Sequence, residues 1–223
     1  MDTTQNPWGV MTAPSLVMFD LDGTLVDSLA DLAASVNFMR SSFGLPPLAT
    51  ETVRQCIGKG ARNLVGRTLP ERADDLDRGL DLFLEHNGAN IAVHSRLYPG
   101  VLPLLAALRD AGVFLAVVSN KPTVLCRQLL DVLEVADWFG TVLGGDAVAQ
   151  CKPWPDPLLL AMEQAGVVAP AAVMIGDSSN DFDAARAAGV RSIACTFGFG
   201  EPWEMELADS RIDSLEALLP LPF

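Results

Sequence analysis

Positive charge is scarce in this chain: 15 Lys and Arg stand against 28 Asp and Glu in 223 residues, a formal net charge of −13. Binding to a nucleic-acid backbone depends on Lys and Arg displacing counterions, so a general nucleic-acid binder is disfavoured. An anionic substrate would need a local cationic device working against the overall field. Cysteine is sparse too. Cys56, Cys126, Cys151 and Cys195 are scattered with no C-x-x-C pair. That opposes a zinc ribbon or redox motif and suits free thiols in a reducing compartment. No apolar run approaches the ~20 residues that span a bilayer. The opening M-D-T-T-Q-N-P-W-G has neither the basic start nor the apolar segment of a secretory signal. These absences predict a cytoplasmic protein with no membrane or nucleic-acid partner; a monomer or homodimer is expected.

Half of the residues are hydrophobic and 19% are charged, which supplies a globular core. Residues 1–14, with Pro7 and Pro14 as breakers, read as a flexible arm. Leu16–Asp20 then reads as a short buried strand. Similar apolar runs recur at Val113–Ser119, Thr141–Leu143, Ala172–Gly176 and Arg191–Thr196. Helical patterns separate them at Gly100–Ala111, Pro122–Leu133, Asp156–Ala165 and Asn180–Ala188. This alternation predicts an α/β fold, a parallel sheet wrapped by helices on both faces. Residues 28–96 break the rhythm. Leu29, Leu32, Ala33, Val36 and Phe43 form one helical stripe, and Leu76, Leu80, Phe83 and Leu84 another, with Asp74, Asp75, Asp77, Asp81 and Glu85 as a solvated face. An all-helical insert is expected there, with Leu97 to Gly100 as the return hinge. Residues 15–27 and 97–223 make up the core.

The strand ends carry the chemistry. Ligands of open α/β sheets gather beyond the carboxyl ends of the strands. Asp20 and Asp22 follow the first strand in F-D-L-D-G-T; Ser119, Asn120 and Lys121 follow the second in V-V-S-N-K. Lys152 lies in C-K-P-W-P-D-P after the third, and Asp177 and Asp181 follow the fourth in G-D-S-S-N-D. Asp20, Asp22 and Asp177 offer hard oxygen ligands suited to Mg²⁺, which binds through a few carboxylates plus substrate phosphate. A lysine among them balances charge and can hold a phosphoryl oxygen; a Ser hydroxyl and a backbone N–H at a helix start can hold others. The set suits phosphoryl transfer, where positioning and electrostatics dominate. Asp20 can attack as a carboxylate nucleophile. Asp22 can protonate the leaving oxygen and then deprotonate water.

Those four stretches, in that order, resemble the motifs of the haloacid-dehalogenase-like superfamily in its phosphatase branch. The resemblance covers nearly the whole chain from residue 16. I-G-K-G-A-R-N-L-V, L-Y-P-G-V, G-G-D and F-G-F-G-E-P look like the phosphoglycolate phosphatase-like subgroup. The resemblance implies a Rossmann-like core with residues 28–96 as an inserted helical cap, and hydrolysis of a small phosphomonoester through an aspartyl phosphate. It casts Asp20 as nucleophile and metal ligand, and Asp22 as acid/base giving its backbone carbonyl to the metal. It makes Ser119 and Asn120 phosphate-binding, Lys152 the charge stabiliser, Asp177 a metal ligand, and Asp181 a support beside the metal. Cys151 departs from the pattern, standing where a basic residue is common. Other phosphatases, pyrophosphatases and phosphomutases share these motifs. A phosphorelay receiver uses a similar set but needs no helical insert, and a non-catalytic binding module would not need every acid.

Other features have plainer readings. Gly58-Lys59-Gly60 is not a P-loop, since Ala61 follows it; it reads as a cap loop turned toward the site, with Lys59 or Arg62 placed to meet a substrate carboxylate. His86 and His94 lack the companions of a zinc site. Trp154 and Trp203 read as packing anchors.

Overall fold

The computed structural model describes residues 7–9 and 13–221. Strand β1 (Leu16–Phe19) is buried along its whole length. A strand covered on both faces is a continuous apolar run, which is why L-V-M-F shows no polar alternation. Beyond it, β2 (Val26–Asp27) leads into four helices: α1 (Leu29–Ser42), α2 (Thr50–Arg54), α3 (Ala61–Thr68) and α4 (Leu76–Ala89). The chain returns through β3 (Arg96–Leu97). Alternation follows with α5 (Val101–Asp110), β4 (Phe114–Val118), α6 (Thr123–Val132), β5 (Thr141–Leu143), α7 (Asp156–Ala165), β6 (Ala172–Gly176), α8 (Ser179–Ala188), β7 (Arg191–Cys195) and β8 (Ser210–Ile212).

Six strands form one sheet in the order β5-β4-β1-β6-β7-β8, every neighbouring pair parallel. The chain leaves β1 toward β4 and β5 on one side, then crosses to β6, β7 and β8 on the other. A crevice therefore opens at the carboxyl end of β1. Register brings the polar residues to it: Phe19 lies beside Val117 and Ile175, so Asp20, Ser119 and Asp177 leave the sheet side by side. Val17 and Phe19 pack on one face with Leu104, Leu108 and Leu129 from α5 and α6. Leu16 and Met18 pack on the other with Leu158, Ala161 and Ala184 from α7 and α8. This two-sided burial is the α/β architecture that the alternating pattern predicts.

The helices between β2 and β3 have their own core, including Leu32, Val36, Met39, Val53, Leu64 and Phe83. On α4, Asp74, Asp77, Asp81 and Glu85 flank or line the exposed side as expected. Gly79 lets α4 approach its neighbours closely: a Cβ there would meet the Leu69 side chain at 2.7 Å. Both connections to the sheet are joined. β2 and β3 pair antiparallel, Val26 opposite Leu97 and Asp27 opposite Arg96. Next to this ribbon, the buried Asp31 in the first turn of α1 accepts hydrogen bonds from the backbone N–H of His94 (3.0 Å) and Ser95 (2.8 Å) and from the Ser95 hydroxyl (2.6 Å). Burial pushes its carboxyl up, but these donors outweigh it and hold it below the usual carboxylate range.

Two features depart from the pattern reading. The expected flexible arm is docked at Pro7–Gly9: Trp8 is 1% exposed, packs in the main core and donates its indole N–H to the Leu218 carbonyl at 3.0 Å. A large indole with a partner for its polar edge gains too much by burial to stay in solvent. The rest of that arm, residues 1–6 and 10–12, lies outside the described residues. The second departure is β8 and the β2–β3 ribbon, too short to show a period. Among the described residues, no helix is long and apolar enough to cross a membrane, and all four cysteines are free thiols.

Candidate active site

Asp20 stands where β1 ends, 8% exposed. Its Oδ1 accepts the Leu21 backbone N–H at 2.7 Å and pairs with Lys152 Nζ at 3.0 Å. Those two contacts fix the carboxylate and leave Oδ2 uncommitted. Gly23, at φ +89°, turns the chain back tightly. A Cβ there would stand 2.3 Å from Asp177 Oδ2, so only glycine lets the two acidic loops meet. Thr24 Oγ1 completes the junction by donating to Asp177 Oδ1 at 3.2 Å.

Lys152 is buried and has three acceptors for its three N–H bonds: Asp181 Oδ1 at 2.6 Å, the Val118 carbonyl at 2.7 Å and Asp20 Oδ1. Burial disfavours its charge, but Asp181 and Asp20 outweigh it and hold the ammonium above the ordinary lysine range. Asp181 is wholly engaged, since its Oδ2 also accepts from the Ser178 backbone N–H (3.0 Å) and hydroxyl (2.9 Å), the capping box of α8. Asp177 accepts the Phe199 backbone N–H on Oδ2 at 2.6 Å.

Carboxylate oxygens of Asp20, Asp177 and Asp181 lie within 4.8 Å of one another, all buried. Burial pushes the Asp20 carboxyl up to about 6 despite Lys152, with Asp181 adding to the rise. Burial, then Asp20 and Asp181, raise Asp177 well above the usual range. Three desolvated carboxylates around one ammonium have excess negative charge, and a divalent cation with hard oxygen ligands would relieve it. The donor set therefore fits a metal.

On the other side, Ser119 N–H donates to the Leu143 carbonyl at 2.9 Å, which holds the V-S-N-K turn on the sheet. The backbone N–H groups of Asp22 and Asn120 have no hydrogen-bond partner among the described residues. They are donors left for an anion. Lys121 pairs with Asp22 Oδ2 at 3.2 Å, and the Ser28 hydroxyl donates to Asp22 Oδ1 at 2.6 Å. Gly144 and Gly145 pack against the Lys121 and Asn120 backbones, and Asp146 in the same G-G-D stretch accepts the Thr123 N–H at 2.8 Å at the start of α6.

Two cavities reach these residues from the side of the helical insert. The narrower, about 50 Å³, runs from Asp20 and Asp22 past Ser119 to the apolar walls of Leu32, Leu64 and Phe83. The wider, about 220 Å³, passes Asp177 and Asn180 and is bordered by Arg54, Lys59 and Arg67. Of the two cap cations singled out in the sequence, Lys59 lines a cavity. Arg62 lines neither and pairs with Asp77 on the surface at 2.8 Å. Its position on α3 turns it outward, a direction that the order of residues in the loop does not show. His86 and His94 are structural: His86 stacks on Phe38, and the His94 backbone serves Asp31. Trp154 and Trp203 are exposed rather than anchored.

Three side chains here were not singled out by the sequence pattern for the part they play. Lys121 closes V-V-S-N-K and could have been paired with Asp22 by charge alone. Arg54 donates to the Phe199 carbonyl at 2.5 Å and pairs with Glu201 at 3.0 Å, bridging insert to core, but nothing in its local pattern marks it. Asn87, buried on α4 beside the narrower cavity, reads in sequence as an ordinary polar residue.

A model of haloacid dehalogenase-like hydrolases matches residues 17–195. The phosphoglycolate phosphatase 1 of Pseudomonas aeruginosa is 43% identical, over 96% of this chain and 82% of the relative. A phosphoglycolate phosphatase of Neisseria meningitidis is 40% identical, over 83% of this chain and 81% of its own. Among solved structures, a predicted phosphoglycolate phosphatase from Haemophilus somnus superposes with a TM-score of 0.88 at 34% identity, over 93% of this chain and 98% of the other. CbbY from Rhodobacter sphaeroides, in complex with phosphate, superposes with a TM-score of 0.77 at 26% identity, over 92% and 96%.

Proposed function

The chain belongs to the haloacid dehalogenase-like hydrolases, and from that premise we propose that it is a Mg²⁺-dependent phosphatase acting on 2-phosphoglycolate. The observation that carries this reading is the meeting of Asp20, Asp22, Ser119, Lys152 and Asp177 at the crevice beyond β1, with the unpartnered N–H groups of Asp22 and Asn120 beside them. The names of the relatives support the substrate, and the phosphate in CbbY supports the phosphoryl site.

Asp20 and Asp177 carboxylates and the Asp22 backbone carbonyl would hold Mg²⁺. When bound, it would neutralise charge and orient the phosphoryl group. The chain's own residues do the rest. Asp20 Oδ2 attacks phosphorus, the bond to the leaving alkoxide breaks, and Asp22 gives that oxygen a proton. Asp22 then takes a proton from a water that attacks the aspartyl phosphate, releasing phosphate and restoring Asp20. The Ser119 hydroxyl and the Asp22 and Asn120 N–H groups bind the equatorial oxygens, while Lys152 stabilises their charge and is itself held by Asp181. Residues 28–96 act as a cap over this site, with residues 15–27 and 97–223 as the catalytic core. Lys59, beside the wider cavity, meets the substrate carboxylate; closure excludes water and favours a small leaving group. The free thiols and the acidic balance suit a cytoplasmic protein.

The test is phosphate release from a panel of phosphoglycolate, glycerol phosphate, hexose phosphates, nucleotides and pyrophosphate, with magnesium and with chelator. Asp20→Asn should abolish turnover, and Asp22→Asn should be severely impaired yet trap some phosphoenzyme from a substrate with a good leaving group, detectable by mass spectrometry of the quenched protein. Near wild-type turnover by Asp20→Asn would sink the chemistry. A tenfold preference for hexose phosphates or nucleotides, about 1.4 kcal/mol in transition-state binding, would sink the substrate.

A further inference from the structure

Asn120 follows the phosphate-site serine, yet its side chain faces elsewhere. One Nδ2 hydrogen goes to the Gly58 carbonyl in the cap loop at 2.9 Å, the other to the Lys152 carbonyl at 2.8 Å. A primary amide has two N–H donors and no more. What remains is Oδ1, buried and without a partner, and an acceptor oxygen repels a phosphate oxygen rather than binding it. We infer that the Asn120 side chain is a positioning residue, a latch between the cap loop and the Lys152 loop, and that only the backbone N–H of Asn120 serves the phosphate.

The surroundings are built for such a latch. Asn180 Nδ2 approaches the same Gly58 carbonyl at 3.4 Å, from the turn that also supplies Asp181. One carbonyl of the insert is thus held from both sides of the β1 crevice. Gly58 has φ +106°, and a Cβ there would meet Asn180 Nδ2 at 3.2 Å; a Cβ on Gly60 would meet the Asn120 carbonyl at 3.1 Å. Both glycines allow the cap loop to approach the core with its bare backbone. Gly145 packs on Asn120 from the core side, where a Cβ would come within 2.7 Å of its carbonyl. Asn120 is therefore pinned between loops, and its two donors report at once on the cap position and on the segment that presents Lys152. Opening the cap removes one of its partners, and closing it restores the link that holds Lys152 against Asp20. The insert's position is read at the catalytic lysine through this amide.

The test uses Asn120→Ala and Asn180→Ala in the full-length chain, with two readouts. Backbone hydrogen exchange at Ile57–Gly60 in the ligand-free protein should be at least threefold faster in each variant. Inhibition by inorganic phosphate should stay within threefold of the parent in Asn120→Ala, while kcat for phosphoglycolate falls at least tenfold. A phosphate ligand would instead show inhibition weakened by more than threefold, which overturns the inference, as does unchanged exchange in the cap loop. Should Asn120→Ala fail to fold, Asn120→Asp, which keeps the shape but has no N–H to donate to Gly58 and Lys152, decides by the same exchange readout. The inference rests on the phosphatase reading only for the inhibition and kcat arms. A wild type that releases no phosphate ends that reading and leaves the exchange result standing.

Discussion

Asp31 should contribute more to the insert's attachment than any exposed charge on it. Its carboxylate joins the first turn of α1 to the returning segment through the His94 and Ser95 N–H groups and the Ser95 hydroxyl, at 2.6–3.0 Å. Asp31→Asn keeps one acceptor oxygen but turns an amide NH₂ toward these donors. It also removes the negative charge from the helix start. A hydrogen bond to a charged group contributes roughly 1.5–3 kcal/mol, and a carboxylate at a helix N-terminus about 0.3–1 kcal/mol. Losing one such bond and the dipole interaction should cost about 2–4 kcal/mol, measured by urea unfolding at pH 7. The pH dependence follows from the sign of the shift. Asp31 has a lowered folded-state pKa, so the unfolded chain binds the proton more readily. Its contribution is complete above the ordinary aspartate value of about 3.9 and is lost as pH falls through the lower folded value. The gap between parent and variant should stay constant from about pH 5 to 8 and shrink below about pH 4. Equal stability at pH 7, or a gap that widens on acidification, would refute the reasoning.

Lys152→Met should destabilise the metal-free protein by about 3–5 kcal/mol, because it strips the counter-charge from buried Asp20, Asp177 and Asp181. Magnesium should recover part of that loss, so melts with chelator and with magnesium must differ by more in the variant than in the parent. Trp8→Ala should cost about 3–5 kcal/mol through the vacated core volume and the lost bond to Leu218; an unchanged melting temperature would place Trp8 outside the core. Lys59→Ala should lower kcat/KM for phosphoglycolate more than for an analogue without the carboxylate, such as ethyl phosphate, whereas Arg62→Ala should leave that ratio within twofold. A larger effect from Arg62→Ala would mean that its Asp77 pair opens in solution.

Where sequence and structure agree, the physics is local or periodic. A strand buried on both faces must be a run such as L-V-M-F or A-V-M-I-G, and a parallel sheet needs helices between its strands, so the alternating core was legible residue by residue. That Asp20, Asp22, Ser119, Lys152 and Asp177 would meet was legible for a related reason: the strands of such a sheet end along one edge, so residues just beyond them converge. Spacing along the chain says nothing of what lies opposite. That Asn120 turns its amide to Gly58 and Lys152, that Arg62 points outward while Arg54 bridges to Phe199 and Glu201, and that Asp31 clasps Ser95 depend on the packing of segments 15 to 147 residues apart. Trp8 is the plainest case. Beside Pro7 and Gly9 it has every local mark of a loose end, yet it is buried in a core drawn from the whole chain, and the carbonyl that accepts its indole N–H belongs to Leu218, 210 positions away. Composition and period determined the sheet, its helices and the acids at its edge; only the folded chain decided which side chains meet across the cleft, since contact depends on distances that no local pattern encodes.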